Sequence, residues 1–268
     1  MFVLMPEGCE VLGAGIATCL SNCVALLSFI TVIIRMGRGS VISFSLARGL
    51  PRRSSVLPVF GVGIPSAIAT FLFDMDYVII DRLMVSYNDL ALAAVGIVLK
   101  VERFPLNVGL GICQGMMPLV AYNYSSGDRK RMNDTVSLSR NLGLAVAAVS
   151  ILLYELFAPE FSRLFISEAK TVALASQFLR IRVLATPLMF LSFFTVYLFQ
   201  AFGKGHISLF LGVTRWLVFN IPMLFLLNSI FGMFGLVWSQ VTADSLTVIM
   251  SFYVYKRYRP SLEPLPRE

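Results

Sequence analysis

The stretch GICQGMMPLVAYNYSSGDRKR (residues 111–131) passes from an apolar run into a dense positive cluster within twenty-one residues. It carries an amide, Gln114, inside the apolar part, then Pro118, then the triplet Tyr122-Asn123-Tyr124, and finally Arg129, Lys130 and Arg131. An apolar helix that ends in aromatic and then basic residues has the pattern of a transmembrane span reaching the membrane–water interface. Composition extends this reading to the whole chain. The 268 residues are 57% hydrophobic and 14% charged, with a mean hydropathy of +0.79, whereas a soluble domain carries about 25% charged residues.

A span needs about 20 mostly apolar residues. Seven are expected, at residues 11–34, 57–84, 91–121, 139–158, 176–202, 207–228 and 233–255, giving an all-α polytopic membrane protein. The opening MFVLMPEGCE lacks a basic n-region and is interrupted by Pro6, Glu7 and Glu10, so no cleavable signal peptide is expected. One set of loops holds Arg35, Arg38, Arg48, Arg52 and Arg53, then Arg129, Lys130 and Arg131, then Lys204, then Lys256, Arg257, Arg259 and Arg267; the opposite set holds only Arg163 and Lys170. This asymmetry places the basic loops in the cytoplasm, the N-terminus outside and the C-terminus inside. The net charge of +7 is therefore a topology signal, and no nucleic-acid partner is expected. The cysteines are Cys9, Cys19, Cys23 and Cys113, and the single histidine is His206, so neither a zinc site nor a disulfide framework is expected.

Seven spans that start outside suggest a divided architecture. The first span and the last share a pattern of small and apolar residues that aligns Gly13 with Gly235 and Asn22 with Asp244. A parallel repeat of six spans would follow. Residues 1–34 would then be the last span of a missing N-terminal bundle, 35–56 a basic cytoplasmic linker, 57–256 a six-helix bundle, and 257–268 a cytoplasmic tail.

Polar groups at membrane depth are costly and usually face protein or a water-filled cavity. Lys100, Arg103, Asn107, Gly111 and Gln114 fall on one face of the third span, and are expected to line a cavity rather than only to bind neighbouring helices. The second span holds Asp74, Asp76 and Asp81. Asp74 shares a face with Thr70 and Asp81, while Asp76 points elsewhere. Counting about 1.5 Å per residue from the turn near Asn88, Asp74 comes level with Lys100 and near Arg103. An acid that exchanges such a partner for an ion is the functional reading, and a permanent structural pair is the alternative. The same counting about a turn near Phe231 pairs Arg215 with Asp244, read first as structural, with Asp244 also a weaker ion-site candidate. Tyr197 and Gln200 close the fifth span and could line a pathway. Pro65, Pro105, Pro118, Pro187 and Pro222 punctuate four of the spans, and broken helices frequent transport pathways. Gly111 and Gly115 form a GxxxG step that suggests close helix packing. No Ser/His/Asp set, phosphate loop or metal cluster suggests an enzyme.

With its flanks, the opening stretch resembles the segment after the seventh span of the multidrug and toxic compound extrusion (MATE) family. Gln114, Gly115, Pro118, Leu119, Tyr122, Asn123, Tyr124, Gly127 and Arg131 carry the resemblance, and Ser125 and Ser126 replace the usual Gly-Ala. GIPSAIA, LFQAFGKG and GVTRWLVFNIPM look like further family segments, in the family's order. The resemblance implies twelve spans in two six-helix bundles around a central cavity. It implies export of small organic cations or amphipathic compounds across the plasma membrane in exchange for protons or sodium, with no cofactor besides that ion. Asp74 lies close to the seventh-span acid of some sodium-coupled members, and the fifth span here has no counterpart of their tenth-span acid. A related lipid-linked oligosaccharide flippase would show more cations toward the cavity. A non-transporting membrane fragment is a further alternative. A seven-helix receptor is disfavoured because Cys113 lies too deep and loop 159–171 has no cysteine. A retinal protein would need a lysine within the last span, and Lys256 lies at its end.

Overall fold

A computed structural model describes residues 10–36 and 53–258, and the chain divides into two units at residues 52 and 53. The first unit contributes α1 (Glu10–Met36), an apolar helix with Arg35 in its last turn. Ser21, Ser28 and Thr31 return their hydroxyls to the carbonyls of Thr18, Ala25 and Leu27, which satisfies them inside the helix. Most of the expected 35–56 linker, and residues 259–268 of the expected tail, lie outside the described residues.

The second unit is helical throughout its described length. It comprises α2 (Arg53–Val85), α3 (Asp89–Ser125), α4 (Arg129–Arg163), α5 (Ala169–Val183), α6 (Thr186–Ala201), α7 (Gly205–Val213), a π-helical turn (Thr214–Asn220), α8 (Ile221–Phe231) and α9 (Met233–Tyr258). Counting α1, six segments of the described chain are long and apolar enough to cross a membrane, and α5 with α6 supplies a seventh as one span bent by 46°. The protein is an all-α polytopic membrane protein.

The prolines explain where helices break. Pro187 and Pro222 lie in the first turns of α6 and α8, where a missing N–H removes no hydrogen bond. The fifth span therefore starts at Ala169, seven residues before the expected 176, and bends between α5 and α6. Between α7 and α8 the chain widens into the π-helical turn, whose capping Ile221 N–H reaches the carbonyl of Trp216. Pro159 lies two residues after a kink at Phe157 (φ −117°, ψ 24°) in α4. Pro105 lies inside α3 and leaves the Val101 carbonyl without its helical donor. The buried Tyr154 hydroxyl of α4 donates to that carbonyl at 3.1 Å.

The turn after α3 follows directly from its sequence. Asp128 N–H donates to the Asn123 carbonyl at 3.0 Å and Gly127 N–H to the Tyr124 carbonyl at 3.3 Å. Gly127 takes φ +73°, the left-handed residue that this C-terminal motif needs. Asp128 then caps α4 by accepting from the Arg131 N–H at 3.0 Å. The same motif closes α6, with Lys204 N–H to Phe199 and Gly203 N–H to Gln200, both at 2.9 Å, and Gly203 at φ +69°.

Two apolar clusters hold the bundle. One contains Ile80, Val98, Phe178, Leu224 and Leu236; the other contains Cys113, Met116, Phe190, Phe199 and Leu211. Charged residues fall between them in sequence. Glu102 lies between Val101 and Cys113 on α3, and Asp244 lies between Val237 and Val254 on α9. The expected close packing at Gly111 and Gly115 is not formed; both have open space around them, because that face of α3 is exposed. Close approach occurs elsewhere. A Cβ on Gly143 would overlap the Phe190 ring, and one on Gly235 would overlap the Leu227 carbonyl.

Candidate functional site

A cleft of about 250 Å³ opens between α2, α3, α6 and the α7–π segment. It gathers the sequence candidates Asp74, Gln114, Tyr197, Gln200 and Arg215. Gln114 Nε2 donates to the Tyr197 hydroxyl at 3.3 Å, and Gln200 Nε2 donates to Ser208 Oγ at 3.0 Å. Asp74 is exposed on the wall. Thr70, one turn before it, spends its hydroxyl on the Ser66 carbonyl.

The cleft also has an aromatic side. Phe73 sits 5.8 Å from Phe193 and 5.3 Å from Trp216, ring centre to ring centre. The Arg215 guanidinium lies 4.4 Å over Phe193 and 4.6 Å over Trp216, where the ring quadrupoles attract it. Its Nη2 is 2.8 Å from Asp244 Oδ1. Gln240 Nε2 donates to the other Asp244 oxygen at 2.6 Å. Asp244 is fully buried and has both oxygens engaged.

Lys100, Arg103 and Asn107 are exposed on α3 and do not line this cleft. The expected ion pair of Asp74 with Lys100 or Arg103 does not form. Arg103 stacks instead on Tyr77 at 4.7 Å. Level counting fails here because α2 packs chiefly on α7 rather than on α3, which brings Asp74 to the Leu110–Gln114 part of α3. Asp81 is also exposed.

Two features escaped the sequence reading. Arg182 grips Glu102 through Nε to Oε2 at 2.7 Å and Nη2 to Oε1 at 2.8 Å. Glu102 lies opposite the α3 stripe that the sequence assigns to a cavity, so the helical wheel points it away from the interior; the structure reverses the two faces, and its partner two helices away was not visible. Asp76 is the second. It is 4% exposed, with Arg182, Arg215 and Asp244 acting on it and Asn220 beside it. Its Oδ1 has no hydrogen-bond partner, and neither do the side-chain atoms of Asn220. Asp74 and Asp76 are two residues apart, about 200° around a helix, so one faces the cleft and the other the bundle interior. Among the described residues the interior holds three acids, Asp76, Glu102 and Asp244, against the two cations Arg182 and Arg215. A void of about 20 Å³ adjoins Glu102, Arg182 and Gln240, room for one water. Among the described residues no cluster of His, Cys, Asp and Glu could hold a metal ion.

Comparison with known proteins places this architecture. The chain is similar to the multidrug export protein MepA of Staphylococcus saprophyticus, 27% identical over 94% of this chain and 55% of the relative. It thus spans about half the length of the curated relatives it matches. Its fold is similar to an outward-facing multidrug resistance MATE family transporter of the MOP superfamily, with a TM-score of 0.84, 19% identity, and coverage of 96% of this chain and 58% of that one. The Vibrio cholerae MATE transporter VcmN gives a TM-score of 0.81 at 19% identity, over 93% and 56% of the two chains. Residues 65–226 match the MatE family itself, and the chain belongs to this family.

Proposed function

We propose that this protein forms one wall of a secondary-active antiporter that exports cationic or amphipathic compounds in exchange for protons or sodium. In this reading the 57–256 bundle works opposite a first bundle, and α1 is the last span of that first half. The protein lies in the plasma membrane with its basic loops in the cytoplasm. The observation that carries the reading is the cleft, where Asp74, an acid without an ion partner among the described residues, shares a wall with Gln114, Tyr197 and Gln200 beside the aromatic group Phe73, Phe193 and Trp216. An exposed carboxylate beside aromatic faces suits a lipophilic cation, and amides and a phenol give adaptable hydrogen bonding.

Asp74 is the first candidate for the exchanging acid. Asp244 is the weaker one, because Arg215 and Gln240 already hold both of its oxygens. Asp76 joins them from the structure as a buried acid whose Oδ1 has no hydrogen-bond partner. Cells that make the protein should accumulate less ethidium than cells that do not. Collapse of the proton and sodium gradients should erase the difference. Equal accumulation in energised cells with and without the protein would remove the export reading.

A further inference from the structure

A groove of about 210 Å³ lies between α4, α6 and α9 and shares no lining residue with the cleft. On α6 the cleft takes Phe193 and Tyr197, whereas the groove takes Phe194, Thr195 and Leu198. Its polar groups are Arg140 of α4, Thr195 of α6, and Ser251 and Tyr255 of α9. We propose that this groove binds an anionic phospholipid, with Arg140 and Ser251 on the phosphate and an acyl chain along Phe194, Leu198 and Val248.

Depth supports a headgroup. Arg140 stands just before the uncharged run at residues 142–154. Ser251 stands five residues before Lys256, roughly 7.5 Å along the helix, and two before Tyr253, the first of the tyrosines that close α9. Both therefore sit where the chain passes from apolar to basic, the level of lipid phosphates. Phe252, which lines the groove, is apolar and exposed, so the groove meets lipid tails there.

Charge and hydrogen bonding specify the occupant. No acid lines the groove. The Arg140 guanidinium reaches only the Asn141 amide oxygen, at 3.3 and 3.4 Å, and a planar fork of donors fits a phosphodiester. Ser251 is the second sign. Ser245 and Thr247 of the same helix return their hydroxyls to the carbonyls of Val241 and Ala243, both at 2.7 Å. Ser251 does not; it is 3% exposed and its Oγ has no partner. A buried hydroxyl without a hydrogen bond, on the same groove as an arginine without an acidic partner among the described residues, is a donor set for an anion.

The test measures thermal unfolding of the whole protein in neutral detergent, with dioleoyl phosphatidylglycerol, dioleoyl phosphatidylcholine or inorganic phosphate added. Phosphatidylglycerol should raise the midpoint more than phosphatidylcholine, and inorganic phosphate should have no effect. Arg140→Gln should weaken the phosphatidylglycerol effect about tenfold in apparent affinity, a difference of about 1.4 kcal/mol. Ser251→Ala should weaken it less, Arg140→Lys should partly retain it, and Lys130→Gln should leave it unchanged. If Arg140→Gln does not fold, Ser251→Ala decides by the same comparison. Equal midpoints with the two lipids, protection by inorganic phosphate alone, or equal losses in Lys130→Gln and Arg140→Gln would each overturn the proposal.

Discussion

Arg182 and Glu102 form a two-pronged ion pair, 2.7 and 2.8 Å long, that ties the end of α5 to the middle of α3. The side chains are 2% and 11% exposed. Removing one partner strands a buried charge and costs about 3–5 kcal/mol. Arg182→Gln and Glu102→Gln should each lower the unfolding midpoint sharply, whereas the exposed pair Arg180–Glu155, at 3.9 Å, is worth about 0–1 kcal/mol. Thermal unfolding of Arg182→Gln beside Arg180→Gln checks this; equal losses would show that burial of the pair does not set its weight.

Asp76 should behave in the opposite way. Its Oδ1 makes no hydrogen bond, and the interior around it carries an excess of acid over cation. Asp76→Asn should keep the shape, remove that excess and leave the midpoint unchanged or higher. A loss as large as that of Glu102→Gln would mean that Asp76 completes a structural network.

The Tyr154 hydroxyl serves the carbonyl that Pro105 leaves free. Tyr154→Phe strands a buried acceptor and should cost about 1–3 kcal/mol. Combined with Pro105→Ala, which restores the helical N–H, the cost of Tyr154→Phe should shrink. A cycle of unfolding measurements on both singles and the double reads the coupling, and strict additivity would refute it.

Gly143 lies against the Phe190 ring. Gly143→Leu should destabilise by about 1–3 kcal/mol through overpacking, and Phe190→Ala in the same protein should recover part of that loss. The readout is again the unfolding midpoint; no recovery would place the strain elsewhere.

These contacts show what sequence carries and what it leaves out. Helical period and charge were enough to locate the spans, apart from the start of the fifth, and their basic ends, because each depends on residues close in the chain. Gln114, Tyr197 and Gln200 were legible as polar groups at membrane depth, and packing brings them to one cleft. Partners across helices were harder. Counting from a turn fits Arg215 with Asp244, whose helices run side by side. It fails for Asp74 and Lys100, because α2 turns to pack on α7. Arg182 could not be matched to Glu102 from sequence, since 80 residues and the whole of α4 separate them. Gly111 and Gly115 carried a packing motif on a face that stays open.

The most direct test of the account is coupled flux in vesicles reconstituted with full-length protein. Uptake of a lipophilic organic cation should drive proton or sodium movement in the opposite direction. Asp74→Asn should abolish this cation-stimulated flux while the unfolding midpoint stays at the wild-type value. Flux unchanged in Asp74→Asn would contradict the exchanging role of Asp74 and with it the reading of the cleft as the coupling site.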